Sequence, residues 1–259
     1  MLSEIKNQIK KTPLIVPFVL MKGLFKKPIS QNDEAMILRR LLRRYDLPKK
    51  FIEFGFSGWE FNCAPLIGNW EGLLVDGDAY NVKIANLVYP RIKAVQAWLT
   101  LNNLDFIIEF ARSKPLGILS VDVDGNDYWF LEKLISTNPE LIIAEYNSSL
   151  GLRPISVPYD PQFDRTKKHE SWTYFGASLT ALNHLARLHG YSLIEISNSG
   201  VNAFFVRDDL LTDDDVVLKP EAAFREKYFT DGSRPSDQWK KIEHLPFIDV
   251  SKMTFWNLA

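Results

Sequence analysis

The chain has 259 residues, 46% of them hydrophobic, a formal net charge of -1 and one cysteine. Length and apolar content suffice for one large core of doubly wound or barrel size, and the near-neutral charge argues against a nucleic-acid binder that relies on overall positive charge. Cys63 can form no internal disulfide, which fits a reducing, cytoplasmic compartment.

The first apolar run, Pro13 to Met21, follows several lysines and carries two prolines. It falls far short of the roughly 20 residues of a membrane helix, so no transmembrane segment is expected, and no small-residue cleavage pattern closes it. We read it as an arm packed on the domain, with contact at a membrane surface as the second reading. Asn32, Asp33 and Glu34 then open a helix whose apolar residues Met36, Leu38, Leu41 and Leu42 lie near helical spacing. Arg39, Arg40, Arg43 and Arg44 form a basic stripe on it, either a solvated face or a surface for a polyanionic acceptor.

Phe51 to Phe56 reads as a strand that runs into Gly55, Ser57 and Gly58. Glycines at a strand end allow a tight turn and let a ligand approach the backbone, although Phe56 stands where many nucleotide-binding turns have a small residue. The next strand, Gly72 to Val75, ends at Asp76-Gly77-Asp78, at the distance from Gly55 where doubly wound folds place an acid for ribose hydroxyls. A helix from Ala79 to Val88, a strand from Arg91 to Leu99 and a helix from Leu104 to Arg112 follow.

Gly117 to Trp129 is the stretch where chemistry is expected. A β-branched apolar run ends in three carboxylates, one amide and a glycine within the six positions Asp122 to Asp127. Carboxylates crowded together repel one another and lose hydration, so a core keeps them only with a cation, a hydrogen-bonded ligand or open water. Asn126 or Asp127 is the natural N-cap of the helix Tyr128 to Ser136, which accounts for one of these groups and not for all. Leu141 to Glu145 is another buried strand with a carboxylate and, at Asn147, an amide at its carboxyl end. Open α/β sheets bind ligands at that edge, so these polar ends should converge.

Gly151 to Gly176 is rich in proline, aromatic and charged residues and reads as a lid or substrate loop, with His169 as a candidate general base. Ser178 caps a helix bearing Leu179, Leu182, Leu185 and Leu188 and ending at Gly190, and His184 and His189 on it read as structural. Tyr191 to Ser197 and Val201 to Arg207 form a hairpin across Asn198-Ser199-Gly200. The tail beyond Asp208, with aromatic clusters around Phe224, Tyr228 and Trp256, wraps the domain or joins a homo-oligomer interface. The expected division is an arm and helix at 1–48, an α/β domain at 49–207 containing the loop 151–176, and an extension at 208–259. The expected fold is a doubly wound, Rossmann-like, seven-stranded sheet, mostly parallel, with a C-terminal antiparallel hairpin.

Four segments carry a family resemblance: Phe51 to Gly58, Gly72 to Asp78, Leu119 to Gly125 and Ile142 to Asn147. Together they resemble class I S-adenosylmethionine-dependent methyltransferases, specifically the FkbM-like group. The resemblance implies S-adenosylmethionine as cofactor, with Glu53, Gly55 and Gly58 around its methionine moiety, Asp76 on ribose, and Ser57, Asp78 and Asp122 beside them. It implies transfer of a methyl group to a hydroxyl of a sugar or polysaccharide precursor, with Asp124, Asn126, Asp127 and Glu145 as the residues that orient or deprotonate it. A looser similarity to metal-dependent O-methyltransferases of the catechol type implies Mg2+ held by Asp124 (or Asp122), Glu145 and Asn147, since oxygen donors suit a hard cation. An EF-hand starting at Asp122 would need glycine at Asp127 and glutamate at Lys133, and has neither. Asp122-Val-Asp124 also looks like the Asp-x-Asp of nucleotide-sugar glycosyltransferases, which is the rival enzyme reading. A non-catalytic scaffold of the same fold is the other rival.

Overall fold

The structure is a computed structural model that describes residues 15–227 and 232–253. The start of the apolar run at Pro13, and the tail aromatics Tyr228 and Trp256, lie outside the described residues.

Seven strands form the main sheet: β1 Lys50–Phe54, β2 Glu71–Asp76, β3 Ile92–Gln96, β4 Ile118–Val121, β5 Leu141–Glu145, β7 Tyr191–Ile196 and β8 Asn202–Arg207. Their order is β3-β2-β1-β4-β5-β8-β7, with β1 to β5 mutually parallel and β8 antiparallel to both its neighbours. This is the Rossmann-like doubly wound sheet with a closing hairpin that the alternation of strand and helix signals predicts.

The strands are apolar on both faces because both faces are covered. Ile52, Phe54, Leu119, Val121, Ile142 and Phe205 belong to a core closed by α4 (Asp105–Arg112), α5 (Asp127–Leu134) and α7 (Leu179–Leu188). Phe51, Leu74, Ile118, Ile143, Phe204 and Val206 belong to a core closed by α2 (Glu34–Arg44) and α3 (Ala79–Val88). Alternation with period two thus sends neighbouring residues of β1 to opposite cores.

Helix α1 (Ile15–Phe25) lies against α3, with Val19 buried beside Trp59 and Ile84. In α2 the buried face is Ile37, Leu38 and Leu41, whereas Met36 is 56% exposed. A phase shift of one residue explains the difference, because Glu34 is drawn inward by hydrogen bonds from the Asn32 backbone and Asn202 and sets the rotation of the helix. Two arginines of the basic stripe are paired, Arg40 with Glu195 and Arg44 with Asp215, which favours the solvated-face reading for them.

The Gly151–Gly176 stretch is folded down rather than open. Its strand β6 (Ile155–Ser156) pairs antiparallel with β9 (Ile248–Asp249), and its Phe163, Tyr174 and Phe175 join Ile242 of the helix Pro235–Ile242 in a third core. It contains one short helix, α6 (Arg165–Lys168). Chain beyond Asp208 therefore anchors the segment that sequence reading takes as a lid.

Phe205, on β8 between β5 and β7, is fully buried. Phe205→Ala should lower unfolding stability in urea by about 3–5 kcal/mol through lost burial and the cavity left behind. Val216→Ala, at a residue 72% exposed, should change it by no more than about 0.5 kcal/mol.

Candidate functional site

Chain order reverses between β1 and β4: β2 and β3 lie to one side, and β5, β8 and β7 to the other. At such a switch point the connections leave in opposite directions and open a crevice beyond the carboxyl ends of the strands. Gly55 sits there with φ +70°, and a Cβ on it would lie 1.5 Å from the Asp122 carbonyl oxygen. Only glycine lets the ends of β1 and β4 come this close.

Two pockets flank this contact. The larger, about 350 Å³, is lined by the backbone from Gly55 to Ser57, by Asp76 and Asn81, and by the apolar groups Trp98, Phe130 and Phe163. The smaller, about 240 Å³, is lined by Gln31, Glu60, Asn62, Glu145, Arg165 and Lys227. Gly55, Ser57, Asp122 and Asp124 line both.

On the larger side, Asp76 ends β2 and its Oδ1 accepts from Asp78 N at 2.7 Å and Asn81 Nδ2 at 3.2 Å. Burial raises its pKa above the ordinary value. Asn81 also donates to the Phe56 carbonyl and accepts from Gly58 N, so one side chain ties the glycine turn to the acid of the next strand. Asp78 is the N-cap of α3, accepting from Tyr80 N at 2.7 Å. Gly58 is needed for packing, since its Cβ would lie 2.7 Å from Ile84 Cδ1. The Phe56 ring is buried edge-on against Phe61 in the second core, so it leaves the turn's backbone facing the pocket. Trp98 is held with its indole N–H on the Pro161 carbonyl at 2.9 Å.

Glu53 is buried at the end of β1, and its two oxygens accept from Asn62 N at 2.7 Å and Cys63 N at 2.8 Å. Burial nevertheless pushes its pKa up to about 7. Its carboxylate fastens the turn at Asn62 and Cys63 while lining the smaller pocket.

One carboxylate oxygen each of Asp122, Asp127 and Glu145 lies within 4.8 Å of the others. Burial pushes Glu145 up to about 8, and the Asp124 and Asp127 charges add to it, while Arg165 and Lys227 oppose it. Asp122 is held well above the carboxylate range by burial and by Glu145, to which it is hydrogen-bonded. Asp127 is pushed up to about 6, chiefly by burial, against hydrogen bonds from Val123 N to Oδ1 and Gly125 N to Oδ2. The Glu145 Oε2 atom is buried and has no hydrogen-bond partner.

Asp124 stands apart from this trio. It takes a left-handed conformation, φ +54°, and its carboxylate pairs with Arg165. The guanidinium is fixed in turn by the Trp172 carbonyl at 2.6 Å and lies 3.7 Å from the centre of the Phe175 ring.

Three expected residues hold other positions. Asn126 exchanges hydrogen bonds with the Asp160 backbone and so clamps the descending segment to the cleft wall. Asn147 is buried with its amide engaged by the Thr173 and Phe175 carbonyls and by Ser149 N, so the acids that converge are Asp122, Asp127 and Glu145 rather than the set Asp124, Glu145 and Asn147. His169 bonds Ser171 and lies near His244, and it lines neither pocket. A general-base role for His169 has no support in this geometry. Asn81, Trp98, Phe163, Arg165 and Lys227 are site residues that sequence reasoning missed. Their only common signal is a polar or aromatic side chain, which is not diagnostic.

No family model matches the chain, and no curated protein matches it. Among solved structures it is similar to the N-terminal domain of EvdMO1 with SAH bound, at 14% identity and a TM-score of 0.42, over 67% of this chain and 79% of that one. It is also similar to an O-methyltransferase from Bacillus cereus in complex with SAH, at 15% identity and a TM-score of 0.42, over 75% of this chain and 90% of that one. Identities this low transfer no residue role to this chain.

Proposed function

We propose that the protein is an S-adenosylmethionine-dependent methyltransferase of the FkbM-like type that methylates a hydroxyl of a sugar-like acceptor. The observation that carries this reading is the pair of pockets joined at Gly55, Ser57, Asp122 and Asp124. A two-substrate transfer needs two compartments meeting at one point, so that donor and acceptor are aligned before reaction.

The larger pocket fits the donor. Asp76 offers a carboxylate for ribose hydroxyls, Trp98, Phe130 and Phe163 offer an apolar wall for a flat base, and the Gly55 turn leaves room for close approach. S-adenosylmethionine, when bound, supplies a methyl group already activated on a sulfonium. The smaller pocket, lined by Gln31, Glu60, Asn62, Arg165 and Lys227, suits an acceptor rich in hydroxyls. At the junction that methyl would pass to the acceptor oxygen, the sulfonium would leave as a neutral thioether, and Asp124 would take the hydroxyl proton. Arg165 holds the Asp124 carboxylate in place for this.

A divalent cation is the second element of the proposal, favoured by the convergence of Asp122, Asp127 and Glu145 and by the unpartnered Glu145 Oε2. The donors are all oxygen, which fits Mg2+. Bound there, the ion would lower the electrostatic cost of the acid cluster and polarise an acceptor oxygen.

Calorimetry should show the native chain binding S-adenosylmethionine, Asp76→Ala binding it at least tenfold more weakly, and Asp124→Asn binding it as the native chain does. Absence of binding to the native chain, with a nucleotide sugar and Mn2+ raising the melting temperature instead, would transfer the site to the glycosyltransferase reading.

The acid cluster has its own signature. Glu145 keeps its proton in the folded chain up to about pH 8, whereas the unfolded chain releases it near 4.5. The folded state thus binds more protons than the unfolded one between these values, and stability falls as pH rises through them. In the presence of a chelator, the melting temperature should drop between pH 5 and pH 8. Glu145→Gln should flatten part of this drop and raise the melting temperature at pH 8 by a few degrees, Glu53 and Asp127 supplying the remainder. Mg2+ added at pH 8 should stabilise the native chain and leave Glu145→Gln unmoved; equal shifts in both would remove the cation from the site.

A further inference from the structure

Helix α1 carries a surface that the proposed reaction does not use. Its sequence, Ile-Val-Pro-Phe-Val-Leu-Met-Lys-Gly-Leu-Phe, is apolar except for Lys22 and Gly23. A soluble helix is normally polar on the side away from its core, so an all-round apolar helix needs a second apolar partner. At about 1.5 Å rise per residue it is roughly 16 Å long, too short to cross a bilayer.

One side is fixed. Val19 is 1% exposed among Trp59 and Ile84, and Gly23 lies so close to α3 that a Cβ would be 2.8 Å from Val88 Cγ1. Docking that tight prevents the helix from rolling over to bury its other side. Leu20, Met21 and Phe25 remain 44%, 56% and 85% exposed, with Ile29 just beyond at 55%. Met21 and Phe25 stand four residues apart, on one face. Monomeric proteins seldom leave such a contiguous apolar patch uncovered without a function for it.

Charge identifies the partner. Residues 1–27 hold six lysines against one glutamate, in a chain whose net charge is -1. Lys26 and Lys27 directly follow the exposed Phe25, and Lys26 lies 5.7 Å over the Trp59 ring. An apolar face rimmed with lysines matches the interface of an anionic bilayer, where side chains enter the acyl boundary and ammonium groups meet headgroups. A second copy of this chain would bring the same lysines together and be repelled.

We propose that the outward face of α1, with Leu20, Met21, Phe25 and Ile29, docks the protein on an anionic lipid surface. The same segment leads to the smaller pocket. Ile29 exchanges backbone hydrogen bonds with Trp59 and Phe61, and Gln31, Glu60 and Phe61 line that pocket. Docking therefore sets the acceptor compartment beside the membrane plane, where a hydroxyl-bearing acceptor carried on a lipid would be presented. The docking itself is independent of the methyltransferase reading.

Sedimentation with vesicles tests it. The full chain should pellet with vesicles of phosphatidylcholine containing about a third phosphatidylglycerol and stay largely in solution with phosphatidylcholine alone. The double variant Met21→Glu with Phe25→Glu should bind the anionic vesicles at least tenfold more weakly, with its melting temperature within a degree or two of the native value because both residues are exposed. Lys26→Glu with Lys27→Glu should weaken anionic binding and remove its salt dependence. The proposal is overturned if the native chain stays in solution with anionic vesicles or if the Met21 and Phe25 double variant pellets equally well. It is also overturned if the native chain is a dimer that this double variant separates, since the face then belongs to a second copy.

Discussion

The approach of Gly55 to the Asp122 carbonyl is the constraint on which the rest of the site depends. The strand ends are brought together because β1 and β4 are hydrogen-bonded along Phe51 to Phe54, and no Cβ fits where Gly55 turns. Backbone contact at this point leaves the chain after β1 to run one way, through Ser57, and the chain after β4 to run the other, through Asp124. Each pocket is therefore walled by one departing segment and floored by the same two strand ends. The glycine serves the geometry of the sheet before it serves any ligand.

Such an edge concentrates polar groups, and the protein holds them in different ways. On the second face Glu34, Asn202, Asn62 and Ser120 form a buried hydrogen-bonded chain that ends at Glu53, with the Asn202 Oδ1 atom left without a partner. Such a network rigidifies what it crosses. The neighbouring trio Asp122, Asp127 and Glu145 crowds three carboxylates together, burial raises each of them, and the Glu145 Oε2 atom has no partner. Buried acids of that kind destabilise the folded chain unless a proton or a cation joins them. The trio differs from the Glu53 network in gathering three carboxylates at one point, and its Asp122 lines both pockets. Three buried carboxylates crowded beside the pocket junction point to a role in binding.

What was legible in sequence was what local pattern controls. The buried strands β1, β2, β4 and β5, the Ser178-capped helix and the hairpin at Asn198 to Gly200 stand where their apolar runs and turn residues place them, and the carboxyl-edge rule brings Asp76, Asp122 and Glu145 to one side of the sheet. Long-range partners were not legible. The rotation of α2 follows from Glu34 meeting Asn202, a contact across 168 positions. The segment after Gly151 reads as a loop because its prolines and charges give no period, yet β9 and the helix Pro235–Ile242, far along the chain, turn it into packed structure. Asn147 looks like a ligand by its place after β5, and only the Thr173 and Phe175 carbonyls reveal it as a brace. Arg165 has no local signal, because its importance lies wholly in meeting Asp124, 41 positions away.

These origins differ between the two pockets. The larger is assembled mainly from the ends of β1 to β4 and the turns that follow them, so its shape is fixed by the sheet. The smaller draws Gln31 from the segment after α1, Arg165 from the stretch after β6 and Lys227 from the chain beyond β8, none of which is part of the sheet. Arg165 is set by Asp124, the Trp172 carbonyl and Phe175, and the wall behind it is set by the third core. The shape of the larger pocket is therefore built into the fold itself, whereas the smaller rests on three outlying segments that can change length and charge without disturbing β1 or β4. Change in what the smaller pocket admits would come through those segments first, and the packing of the tail against the stretch after Gly151 limits how far that stretch can move.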